Sequence, residues 1–186
     1  MRTEWILTAI LTFAGVYALT LYNRLARLRN LVREGWSGID VQLRRRTDLI
    51  PNLIDTVKGY AAHERALFEQ VTRARARSID AHNVPSQEAA ERALRGSLTR
   101  LMALAEAYPE LKADKNFLDL QRQLAEIEDQ LQMARRYYNG AVRDLNIAVN
   151  AFPNSLLSRL FGFCEEPYFE LNERAEAAAP KVVMGT

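Results

Sequence analysis

The strongest constraint in this sequence is a run of 18 residues, positions 5–22, that holds no charged side chain. As a helix it spans roughly 27 Å, close to the ~30 Å hydrocarbon core of a bilayer. Trp5 and Tyr22 stand at its two ends, where amphipathic rings favour the headgroup level. Arg24, Arg27, Arg29 and Arg33 follow directly. A secretory signal is the competing reading, but it needs a basic leading region and a small-residue cleavage site. Here Arg2 is offset by Glu4, and the apolar run leads without a break into a helical pattern at Leu25, Leu28 and Val32. Residues 1–22 are therefore expected to be an uncleaved, single-pass anchor in a cell (inner) membrane. The arginine excess after the run favours a cytoplasmic C-terminal domain. A periplasmic one stays open.

The remainder reads as all-α. Apolar residues at Leu25, Leu28, Val32, Trp36, Ile39 and Leu43 follow spacings of 3 and 4, a heptad stripe with Trp36 in its core. Because the stripe starts three residues after Tyr22, anchor and first bundle helix should form one rod of about 42 residues. At residues 48–51 the pattern is interrupted. Proline suits a first helical turn and damages an interior, so a turn capped by Thr47 or Asp48 is expected. A kinked continuous helix is the alternative. A second helix should then run to about Ile79, with a loop at residues 80–86 and Ser86 as the next cap. The third helix carries Leu94, Leu98, Leu101 and Ala105, and stops before Pro109. A fourth runs from Phe117 through Leu131, Tyr138 and Leu145 to Phe152 in unfaulted steps of 3 and 4. The expected architecture is a transmembrane helix continuous with a long-helix, antiparallel up-down four-helix bundle over residues 23–152. Small residues (Ala134, Ala141, Ala148) should let the helices approach closely. Asn52, Asn139 and Asn146 lie beside the stripes, where a buried asparagine could fix register.

Residues 153–176 are rich in Leu and Phe and too short to span a bilayer. They read either as a short segment closing the end of the bundle or as an apolar patch for a partner or lipid surface. Residues 177–186 read as a flexible tail. The candidate interaction residues are Arg44, Arg45 and Arg46 on the first helix, with Leu157, Leu160, Phe161 and Phe163 in the C-terminal segment.

Chemistry is sparse. The single cysteine, Cys164, excludes an intramolecular disulfide framework and a Cys-based zinc site. His63 and His82 cannot supply the two Glu-x-x-His motifs of a di-iron bundle. No phosphate-binding glycine loop or nucleophile elbow is present. Carboxylates fall almost entirely on the wet faces of helices, although an acidic pair could converge in the fold. A net charge of +2 is too balanced for nucleic acid. The expectation is a non-enzymatic scaffold without cofactor, whose partners are the lipid bilayer and other membrane proteins or copies of itself. The alternative is a membrane-surface or membrane-shaping module acting through the C-terminal Leu/Phe segment.

Residues 22–64, 104–124 and 134–146, with the Phe152–Pro153 pair and the FGF at positions 161–163, together resemble the LemA family of bacterial membrane proteins. The resemblance implies a single-span anchor, a long-helix bundle and no catalytic residue set, with one branch linked to building magnetosome membranes. It points to residues 48–53 and 161–163 as places to look for partner contacts. Gly35 departs from the pattern where a better helix former such as Ala is expected, at a cost of up to ~1 kcal/mol to the first helix.

Overall fold

The computed structural model describes residues 2–170, and all regular structure among them is helical. The expected tail at residues 177–186, and residues 171–176 of the preceding segment, lie outside the described residues. The first element, α1 (Arg2–Lys58), is a single helix of 57 residues, about 86 Å long. Anchor and first bundle helix are one rod, longer than the spacing of the stripe implies.

The expected turn at residues 48–51 does not form, because α1 passes through Pro51. Proline removes the N–H that would bond the Thr47 carbonyl, a cost of about 3 kcal/mol in a helix interior. That carbonyl instead accepts a hydrogen bond from Arg75 Nε at 2.7 Å. Continuing the helix also buries Ile50, Leu53 and Val57 completely. At roughly 1.5–3 kcal/mol each, their burial outweighs the proline. The chain turns at residues 59–64 instead, where Lys58 followed by Gly59 is a stop signal.

The expected second helix is thus divided: its first third belongs to α1, and the rest is α2 (Arg65–Ile79). The third, α3 (Val84–Glu106), begins two residues before Ser86. Asn83 is its cap, accepting from the Ser86 N–H at 2.9 Å while its own N–H bonds the Ser86 hydroxyl. A single turn, α4 (Pro109–Lys112), precedes α5 (Lys115–Asn150), which Asp114 caps through the Phe117 N–H. Last comes α6 (Asn154–Leu160), and then an extended strap over residues 163–170.

Pairings along the seam show that α1 and α5 run antiparallel. Tyr17 meets Asn154, Gly35 meets Tyr138, Gly38 faces Ala134, Arg46 meets Glu128, and Tyr60 meets Asp114. The α2–α3 hairpin is also antiparallel, with Gln70 against Arg100 and Ser78 against Glu91. Its tip therefore points back toward the anchor. Two cores result. The one near the anchor joins α1 (Leu21 to Leu43) to α5 (Leu131 to Val149), sealed by Phe163 and Phe169 of the strap. The far one joins α1 (Ile50 to Val57), α2, α3 and the start of α5 around Phe68, Leu94, Leu101 and Phe117. Phe152, the last member of the α5 stripe, lies beyond the end of the helix and is 84% exposed.

Gly35 has a packing reason. A Cβ there would sit 2.9 Å from the Tyr138 Cα and 3.2 Å from its Cβ. The obstacle includes backbone, so α1 and α5 would have to separate. Gly35→Ala should therefore destabilise the protein by about 1–2 kcal/mol, overpacking exceeding the helix-propensity gain. Gly96→Ala on α3, where a Cβ meets nothing within 4 Å, should stabilise by up to ~1 kcal/mol. Urea unfolding of the full chain in detergent, followed by circular dichroism, separates the two signs.

Candidate functional site

Three features of the fold bear on function: a bare apolar rod, an apolar row beside its base, and a charge cluster inside the far half.

In the first sixteen positions of α1, Trp5, Ile6, Leu7, Ile10, Leu11, Phe13 and Val16 are all exposed. This stretch is the one helix among the described residues long and apolar enough to cross a membrane. A soluble core helix of that length would be covered by protein, and this one is not.

Protein first touches the rod at Tyr17, whose hydroxyl donates to Asn154 Oδ1 at 2.7 Å. Edge-to-face contacts of Tyr22 with Phe161 and Phe163 follow, with ring centroids 5.4 and 5.7 Å apart. Of the C-terminal candidates, Phe163 is buried and Leu157 and Phe161 pack against the core near the anchor. They close the bundle. Leu160 alone of the four points outward, and Phe152 and Leu156, not singled out by the sequence, are exposed with it.

Beyond α6, Gly162 takes a left-handed conformation (φ 71°) that turns the chain into the strap. Two α5 asparagines one heptad apart then hold the strap. Asn146 accepts from the Glu166 N–H and donates to the Glu166 carbonyl, both at 2.9 Å. Asn139 does the same with Phe169, at 2.9 and 3.2 Å. These side chains act as stand-ins for a neighbouring strand, while Asn52 is exposed. The Tyr138 hydroxyl donates to the Pro167 carbonyl at 2.8 Å. Trp36 is half-buried, its ring packed on Tyr138 and Phe169.

The basic run splits. Arg44 is exposed and pairs with Asp40 at 3.0 Å, and Arg45 is exposed beside Gln42. Arg46 is buried and cannot meet a partner: it bridges Glu91 at 3.3 Å and Glu128 at 3.4 Å. Glu128 also takes Arg95 at 2.8 Å, and Glu91 is bonded by Ser78 and Gln87. Glu91 departs from the expectation of carboxylates on wet faces, since it is only 1% exposed. Its position was readable: Gln87 and Glu91 extend the Leu94–Leu98 stripe backward in steps of 3 and 4. The buried carboxylate, Glu91, is matched by an arginine and by hydrogen-bond donors, the arrangement that makes burial of charge tolerable.

Beside the cluster, an open cleft of about 680 Å³ lies between α1 and the hairpin tip, lined by Trp36, Asp40, Arg44, Thr47, Ser78 and His82. His63 sits exposed in the turn at residues 59–64. Within residues 48–53, Ile50 and Leu53 face the core, leaving Asp48, Pro51 and Asn52 outside. No group of three His, Cys, Asp or Glu side chains that could hold a metal gathers among the described residues.

A bundle sealed on itself, carried on a helix bare enough to need lipid, defines a membrane-associated helical-bundle protein. The LemA family profile matches residues 35–183, and the chain belongs to the LemA family. Magnetosome protein MamQ 2 of Paramagnetospirillum magneticum is 24% identical over 175 residues, covering 80% of this chain and 64% of that protein. Magnetosome protein MamQ of Magnetospirillum gryphiswaldense is 23% identical with the same coverage. Protein LemA of Metamycoplasma hominis is 25% identical over 155 residues, covering 81% of this chain and 69% of its own. The chain thus spans less than two thirds of the length of its magnetosome relatives.

Two outcomes follow. Arg46→Met should cost about 3–5 kcal/mol, because Glu91 stays buried with its charge uncompensated. Adding Glu91→Gln should recover part of that loss in a double-mutant cycle. Burial pushes the Tyr138 hydroxyl up to about 12, with Glu166 and Glu88 adding to the shift. A phenol whose folded value is raised stabilises fully below its unfolded value near 10 and loses that contribution as pH climbs toward 12. The urea midpoint should fall across that window, and less steeply in Tyr138→Phe.

Proposed function

We propose that the chain is a membrane-anchored scaffold without catalytic activity. It holds a helical bundle at a fixed height and angle above the bilayer, where the bundle binds other membrane proteins or further copies of itself. The observation that carries this reading is the unbroken course of α1 from the bare apolar stretch to Lys58. A helix has no soft joint, so the bundle cannot swing as a tethered enzyme domain would. The charge cluster supports the same reading, since buried Arg46 and Glu91 and the more exposed Glu128 and Arg95 neutralise one another between α1, α3 and α5. Such a cluster fixes which helices meet, and no cofactor is needed. The lipid bilayer is the first partner, and nucleic acid has no part in it.

The outer faces of the bundle are the proposed contact surface, including Arg44 and Arg45. Photocrosslinkers placed at those two positions in native membranes should give one or a few reproducible adducts, to a membrane protein or to a second copy. Recovery of monomer alone would contradict the scaffold.

The arginines after the anchor support an inner-membrane protein whose bundle faces the cytoplasm. Exposed Cys164, the only cysteine, reports on this directly. A membrane-impermeant maleimide should label it only after spheroplasts are permeabilised. Labelling of intact spheroplasts would place the bundle on the other side.

A second reading, direct action on the lipid surface through the C-terminal Leu/Phe segment, is favoured by the exposure of Phe152, Leu156 and Leu160. The magnetosome names of two relatives agree with a role at a shaped membrane.

A further inference from the structure

The bare part of the rod is too short for the bilayer it has to cross. The apolar run covers residues 5–22, but protein already leans on it from Tyr17, and Leu21 is buried. Residues 5–16 alone reach roughly 18 Å, against a hydrocarbon core of ~30 Å. Either the bilayer thins by some ten ångströms or the base of the bundle enters it.

The surface at that base is built for the second outcome. On one flank of the rod at that base, Leu19 is 67% exposed. On the other lies α6, fixed to the rod by the Tyr17–Asn154 hydrogen bond and the Tyr22–Phe161 contact. Leu156 and Leu160, at i and i+4, line one face of α6 and are 68 and 77% exposed, and Phe152, two residues before the helix, is 84% exposed. The opposite face is spent on the core through Leu157 and Ser158. Arg24, Arg27 and Arg159 are exposed nearby, where guanidinium groups could meet lipid phosphates.

We infer that α6 is a second membrane element. It seats Leu156 and Leu160, with Phe152 just ahead of the helix, in the headgroup–acyl boundary of the leaflet next to the bundle, beside the point where α1 enters. Interfacial helices sink about 5–10 Å, which is close to the length the bare rod lacks. The anchor crosses the bilayer and α6 lies along it, so the two together fix depth and prevent rotation about the rod axis. The inference rests on the anchoring reading above, and its test separates the two.

The full chain, with Cys164→Ser, is placed one copy per nanodisc in phosphatidylcholine and phosphatidylglycerol. Single cysteines carry an environment-sensitive fluorophore at Leu156→Cys, Leu160→Cys, Phe13→Cys in the anchor, and Arg122→Cys on the far half of α5. All four positions are on the surface, and circular dichroism checks the fold of each. Lipids bearing a quencher near the headgroup should quench labels 156 and 160 at least two-fold more than label 122, while aqueous iodide should do the reverse. If labels 156 and 160 behave like label 122 while label 13 is protected from iodide, the anchor stands and the α6 seat is overturned. If label 13 is also open to iodide, anchoring itself fails and the seat with it. Protection of label 156 that develops only with several copies per disc would assign the row to a second copy of the chain and overturn the lipid reading.

Discussion

Everything in this fold hangs on the continuity of α1. One helix supplies the membrane stretch, the wall of the core near the anchor and the wall of the far core, so neither core can move relative to the membrane without bending it. A bend would have to be made somewhere, and the two plausible places are both reinforced. At Gly35 the missing side chain lets α5 lie directly on the rod. At Pro51 the freed Thr47 carbonyl is taken up by Arg75, while Ile50, Leu53 and Val57 are held on either side. Positions that would ordinarily weaken a helix are here the points where it is most tightly gripped.

The two cores divide the labour. The far one is shared by α1, α2, α3, α4 and α5 and lies beside the buried Arg46–Glu91 pair, an arrangement that is costly to desolvate. The one near the anchor has only α1 and α5 as long walls. It is completed by α6 and by a strap that brings no regular structure of its own. Asn139 and Asn146 supply the hydrogen bonds a neighbouring strand would have made, and Phe163 and Phe169 supply the apolar mass. The base of the bundle is therefore narrow, which leaves room at its rim for α6 to present an apolar row outward.

Much of this was legible in the sequence, and what was not has identifiable causes. The anchor, its fusion to the first stripe and the long α5 were readable because uninterrupted periodicity is a local signal. Pro51 misled because its penalty is local while its compensation, Arg75 and three buried aliphatics, comes from the tertiary structure. Gly59, the true stop, was overlooked beside the louder proline. Gly35 reads as a weak helix former until the partner helix is seen to lie 2.9 Å from its absent Cβ. Glu91 sat on a readable stripe but was discounted as a carboxylate. Spacing alone puts Leu156 and Leu160 together on one face and Leu157 on another, yet it cannot say which face the core takes. Asn139 and Asn146 were noticed, but a clasp on a distant strap has no local signature.

The central claim, that membrane helix and bundle share one stiff rod, is open to a direct distance measurement. Nitroxide labels at Leu11→Cys and Ser37→Cys, both exposed on α1, are separated by about 39 Å of uninterrupted helix. With Cys164 replaced by Ser and the full chain in nanodiscs, pulsed dipolar spectroscopy should return a single narrow distribution centred near that distance. A broad distribution, or one centred well below it, would mean that the chain bends between membrane and bundle, and would contradict the account.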